Sequence, residues 1–152
     1  MKKKISIGII LILIIGLFIF IGYRSEESYN GEIVSFEYIY GGYPDGYWVY
    51  KIYTENGKTY ILAKGMNGVD LNLDKELEES VLKDISKIVQ ENRIYKWNGF
   101  SKKNDDISDG YTFSLTIKYN DGKEVKAYGH EKYPKNYENI HKILSNYLET
   151  VK

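Results

Sequence analysis

Cysteine is absent from the 152-residue chain, and proline, histidine and tryptophan occur twice each. Without cysteine there is no disulfide framework, no thiolate nucleophile and no thiol for lipid attachment, so stability must come from a packed apolar core. Two histidines leave little room for a His-based metal site or triad. His130 and His141 lack the HExxH spacing of a zinc-protease helix; His130 reads as a loop residue after a strand and His141 as a solvated helix position. A phosphate-binding loop, a nucleophile elbow and a dinucleotide fingerprint are missing too, so the sequence implies no cofactor and asks for no enzyme. Asn104, Asp105, Asp106 and Asp109 form an acidic loop, but no register of NDDISDG places oxygen ligands as an EF-hand does. The loop reads as a polar turn, and no metal is expected.

Charge of one sign is lacking as well, since 21 basic residues balance 21 acidic ones. From Arg24 onward, 18 basic residues against 21 acidic ones leave a net charge of −3. A well-mixed, slightly acidic surface points away from nucleic acid.

One long apolar run is present. Ile5 to Ile21, ISIGIILILIIGLFIFI, carries no charge. As a helix, residues 5–23 would span roughly 28 Å, close to the ~30 Å hydrocarbon core of a bilayer. A cleaved signal peptide would need small residues before its cleavage site, whereas FIFIGYRSEES offers bulky ones. The run therefore predicts an uncleaved single-pass anchor. Lys2, Lys3 and Lys4 before it place the N-terminus inside and the remainder outside the cell membrane. The expected organisation is a basic N-terminus at 1–4, a transmembrane helix at 5–23, a linker at 24–30 and an extracytoplasmic domain at 31–152. Seven linker residues reach at most about 25 Å, which keeps the domain near the bilayer and within reach of a membrane-proximal protein partner.

Within the domain, branched and aromatic residues over 33–40, 47–54 and 58–64 are separated by Pro44-Asp45-Gly46 and Asn56-Gly57, which predicts a three-stranded meander. Over Leu73 to Asn92 the period changes to three and four, with Leu77, Val81, Leu82, Ile85, Ile88 and Val89 on one stripe. Asp74 is a suitable N-cap for that helix, and Glu76, Glu78 and Glu79 suit its positive end. Residues 111–119 alternate strictly, Asn120-Asp121-Gly122 turns them into a strand at 123–129, and Asn136 is placed to cap a final helix. The expected fold is α+β, an antiparallel sheet of about five strands with two helices on one face. YKIYTENGKTYILAKG (50–65) and SLTIKYNDGKEVKAYG (114–129) also echo each other, as a duplication or as two hairpins built by the same rules.

The stretch YGGYPDGYWVYKIY (40–53) concentrates tyrosine. Aromatic residues suit strands, so sheet formation alone accounts for it. The sharper reading is an exposed binding surface at Tyr43, Tyr47, Val49 and Tyr53, where phenols pack their rings and keep their hydroxyls wet.

In the C-terminal half, Trp97-Asn98-Gly99-Phe100, Asp109-Gly110, Tyr119-Asn120-Asp121-Gly122-Lys123 and Tyr133-Pro134-Lys135-Asn136-Tyr137 follow in order. This series resembles a set of uncharacterised bacterial domains that are membrane-anchored or lipoprotein-like; the chain departs from the latter in having no cysteine. The resemblance covers about residues 94–148. It implies an extracytoplasmic domain of unknown activity and brings no catalytic residues with it. A second candidate binding site lies at Trp97, Asp109, Gly129 and Tyr133. Three functional classes follow: a protein-binding or accessory module, a small cell-envelope hydrolase using carboxylates such as Asp105, Asp106 and Asp109, or a purely structural domain.

Overall fold

The computed structural model describes residues 29–65 and 73–152. The expected transmembrane run, the basic N-terminus and most of the expected linker lie outside these residues. Among the described residues, no helix is long and apolar enough to cross a membrane.

β1 (Ile33–Gly42), β2 (Gly46–Glu55) and β3 (Lys58–Lys64) form the expected meander. Asn56 and Gly57 have φ of 50° and 77°, the pair of positive values that a two-residue type I′ turn requires. Then come β4 (Leu73–Leu77), α1 (Ser80–Glu91), a 3₁₀ turn (Ile94–Trp97) and β5 (Phe100–Lys103). β6 (Tyr111–Tyr119), β7 (Glu124–His130) and α2 (Tyr137–Val151) complete the domain. The fold is mixed α+β, one sheet of seven strands in the order β4-β3-β2-β1-β6-β7-β5 with two helices. The two hairpins that echo each other in sequence flank β1, and among the described residues only β5 pairs in parallel, with β7.

Two of the seven strands differ from the sequence expectation of five. Residues 73–77 read as the first turn of a helix because Leu77 stands at helical spacing from Val81 and Asp74 suits an N-cap. Instead they pair antiparallel with β3, from Thr59 against Leu77 to Ala63 against Leu73. That pairing satisfies the backbone groups on the outer edge of β3, a stronger demand than a marginal extra helical turn. The helix consequently begins at Ser80 with Glu79 at its cap and no acidic residue in its first turn. Glu76 reaches across the ladder to Lys58 at 2.9 Å. β5 was missed because four residues are too few to show a period. Asn136 does stand at the N-cap of α2, but in the left-handed region with φ 62° and without a side-chain cap bond; its carbonyl accepts from the Ile140 amide at 3.1 Å.

Period-two alternation builds the core. Phe36 and Tyr38 of β1, Tyr50 and Ile52 of β2, Ile61 and Ala63 of β3, Phe113, Leu115 and Ile117 of β6 and Val125 of β7 are buried. They join Val81, Leu82, Ile85 and Val89 of α1 and Ile140, Leu144 and Leu148 of α2 in a single cluster. Each such side chain contributes about 1.5–3 kcal/mol of transfer free energy. Tyr29, assigned to the linker by sequence, already belongs to this core: it is 5% exposed, its ring packs on Tyr119 at 5.4 Å, and its hydroxyl accepts from Asn98.

α2 runs across the strands instead of along them. Tyr137 at its start meets Phe113 of β6 at 4.6 Å, His141 meets Tyr40 of β1 at 4.6 Å, and Glu149 near its end accepts from the Tyr50 hydroxyl of β2. One end of the sheet, where β1 turns into β2, therefore extends past the helix.

Candidate functional site

Beyond α2 at that end lies a cleft of about 430 Å³. Its strand side is formed by Tyr40, Trp48 and Tyr111, and its other side by Tyr133, Tyr137 and His141. Asp45 and Glu138 supply two carboxylates, and among the described residues no lysine or arginine lines it.

Local backbone rules position these groups. Tyr40 and Trp48 are directly opposed in the β1–β2 ladder, so their side chains emerge on the same face. The corner that follows is tight: a Cβ at Gly41 would stand 1.9 Å from the Gly46 carbonyl oxygen, and Gly41 has φ 130°. Only glycine fits there. Tyr137 and His141 are four residues apart on α2, which stacks their rings 5.6 Å apart at an interplanar angle of 14°. Tyr133 stacks on Tyr137 at 4.5 Å, and its hydroxyl donates to the Tyr111 carbonyl at 3.2 Å. The Tyr111 hydroxyl donates to Asp45, which ties the hairpin corner to the start of β6.

Behind the cleft runs a polar chain. The Tyr38 hydroxyl is 2.8 Å from His141 Nδ1 and 3.3 Å from the Tyr137 hydroxyl. Burial, reinforced by the neighbouring Tyr137 phenol, drives the Tyr38 hydroxyl far above the ordinary tyrosine range, so it keeps its proton. Burial also pushes Tyr137 up to about 12 and lowers His141 below the usual histidine value. His141 is therefore neutral at pH 7, with Nδ1 engaged by the Tyr38 hydroxyl. The arrangement is a rigid aromatic enclosure holding fixed hydrogen-bonding groups, the composition of a small-molecule or side-chain site.

The sequence-predicted site residues are scattered. Tyr43 is 73% exposed at the hairpin corner, and Tyr47 and Tyr53 share the sheet face away from the core. Six strand residues put Tyr47 and Tyr53 roughly 20 Å apart, and Tyr53 packs on Tyr60 instead at 5.8 Å. Trp97 is 5% exposed and supports the cleft from behind through Tyr137 at 5.8 Å. Asp109 is exposed on the loop before β6, as are Asp105 and Asp106, and none of the three lines the cleft. Of the eight residues expected to bind, Tyr133 alone lines the cleft. A Cβ at Gly129 would stand 2.0 Å from the Lys132 carbonyl oxygen, so that glycine serves the tight exit from β7.

Both histidine readings are corrected. His141 is half-buried against Tyr38 and Tyr40, because it follows Ile140 on the helix and four-residue spacing from Tyr137 turns it inward. His130 lies in β7 and is buried, with Nε2 2.8 Å from the Ile107 carbonyl oxygen. The Tyr133, Tyr137, His141 series was the available signal: aromatic rings at intervals of four. Among the described residues, no three His, Asp or Glu side chains are grouped as a metal ion would need. No protein-family model matches the chain, and no curated protein is significantly similar to it.

Proposed function

We propose that the chain is a single-pass membrane protein, N-terminus inside, whose outer domain is a binding module of the bacterial envelope that takes its ligand in the aromatic cleft. The observation that carries this reading is the cleft itself: six aromatic rings and two carboxylates from four separate chain segments converge on one opening. The uncharged run over 5–21 supports the anchor. Geometry adds a direction. The chain enters the domain at Tyr29, against Tyr119 at the far end of β6, whereas the cleft lies where Gly42 pairs with Tyr111. A ten-residue strand separates the two ends by roughly 30 Å. In an anchored domain that separation supports a cleft open to a partner in the envelope rather than to lipid.

The hydrolase alternative draws no support from the aspartate loop, whose carboxylates stand in solvent outside the cleft. The test is photocrosslinking in intact cells, with a photoreactive residue at Tyr133 and a control at Lys126. A defined adduct from Tyr133 and none from Lys126 is expected; equal capture at both, or none at either, overturns the cleft as the binding site. Carbonate extraction of membranes checks the anchor separately, because a peripheral protein would be released.

A further inference from the structure

The aromatic cleft is also electrically one-sided. We infer that it receives a basic side chain, the ammonium of a lysine or the guanidinium of an arginine, presented by a protein partner; this rests on the cleft being the binding site.

Three observations converge. First, among the described residues the lining holds two carboxylates, Asp45 and Glu138, and no basic side chain, while Glu131 adds a third acid at its edge by accepting from the Tyr111 amide. Second, Tyr40, Trp48 and Tyr133 offer π systems whose negative faces attract a cation within about 6 Å of the ring centroid. The molecule already makes such a contact: the Lys152 ammonium, itself paired with Glu149, stands 5.4 Å from the Trp48 ring centroid. Third, His141 sits half-buried between Tyr38 and Tyr137 with Nδ1 engaged, and its neutral ring adds no opposing charge. An anionic or phosphorylated ligand would meet these acids, while Lys152, the cation at Trp48, is already paired with Glu149.

The hydrogen-bonding groups decide between kinds of cation. A quaternary ammonium can use ring faces but has no N–H to donate. Glu138 and the tyrosine hydroxyls are acceptors that lysine or arginine would engage. At about 430 Å³ the cleft holds one such side chain together with part of its flanking backbone.

The test is titration of the full chain, solubilised in detergent, with capped tetra-lysine and tetra-arginine peptides, a capped tetra-glutamine peptide and choline chloride. Binding is read by calorimetry and by the indole N–H resonance of Trp48. The basic peptides should bind at least about ten-fold more tightly than tetra-glutamine and shift the Trp48 resonance. Glu138→Gln and Trp48→Ala should each weaken binding roughly three- to thirty-fold, Trp48→Phe should restore part of the loss, and Lys126→Ala should change nothing. Tetra-glutamine binding as tightly while shifting Trp48 would overturn the cationic class and leave the cleft as a binding site. Choline binding more tightly than lysine would overturn the protein partner in favour of a choline-bearing polymer. Basic peptides that bind without moving the Trp48 resonance would be surface association and would overturn the inference. No binding by any probe would overturn it too, and joined to the absence of a Tyr133 crosslink would remove the cleft reading as well.

Discussion

The Tyr38 hydroxyl meets His141 Nδ1 at 2.8 Å, and this one contact fastens the central strand to the helix that walls the cleft. Tyr38 is fully buried, so its hydroxyl has no water to turn to if the partner is lost. Tyr38→Phe keeps the ring and removes the oxygen, leaving a half-buried imidazole nitrogen unpaired. A loss of about 1–3 kcal/mol is expected, read from the urea midpoint at unchanged slope; a loss below about 0.5 kcal/mol would show that the contact orients without stabilising.

His141 also sets a pH dependence. Burial holds its folded pKa below the ordinary 6.5, so the unfolded chain takes up the proton first as pH falls. The stability it provides is fully present above about pH 6.5 and is lost as pH drops through the folded value. The charged groups that share the cleft with His141 are Asp45, from the hairpin corner, and Glu138, on the helix itself. Urea unfolding at pH 7.5 and 5.5 should show a lower midpoint at the acid value, and His141→Gln should shrink the difference. A histidine resonance titrating at or above 6.5 would contradict the assignment.

The far end of α2 is held by the Tyr50 hydroxyl, which donates to Glu149 and is driven well above the normal tyrosine range by burial and by that carboxylate. A double-mutant cycle with Tyr50→Phe and Glu149→Gln is expected to return a coupling of about 1 kcal/mol. A coupling near zero would mean that Lys152, the other partner of Glu149, holds the carboxylate alone.

Gly41 and Gly57 separate two reasons for glycine. A side chain at Gly57, φ 77°, meets nothing within 4 Å, so Gly57→Ala bears only the left-handed backbone cost of about 1–2 kcal/mol. Gly41→Ala adds a collision with the Gly46 carbonyl and should cost more, about 3 kcal/mol or above, because two backbone segments must separate. Thermal unfolding of the pair orders the two; equal losses would mean that the hairpin corner yields easily.

Much of the sheet was legible because its turns announce themselves. Asn56-Gly57 fixes the β2–β3 register, and strict alternation from Phe113 to Tyr119 leaves one reading for β6. β4 and β5 were not legible, since one mimics a helical turn and the other has a single half-buried residue, Phe100, to mark it. The cleft was hidden for a different reason. Tyr40, Tyr111, Tyr133 and His141 come from separate segments, and only the placement of β1 between β2 and β6 brings them together. Local patterning found the tyrosine-rich stretch but not which of its rings would acquire neighbours from the last forty residues.

β1 is paired on both sides, with β2 and with β6, along nearly its whole length. A pull applied at Tyr29 against a load held in the cleft runs along that strand and strains both ladders in shear. The hydrogen bonds then share the force instead of opening one after another, as they would if an edge strand were peeled away. A load along β1 must therefore break two ladders at once, which sets that strand apart from the singly paired edge strands β4 and β5.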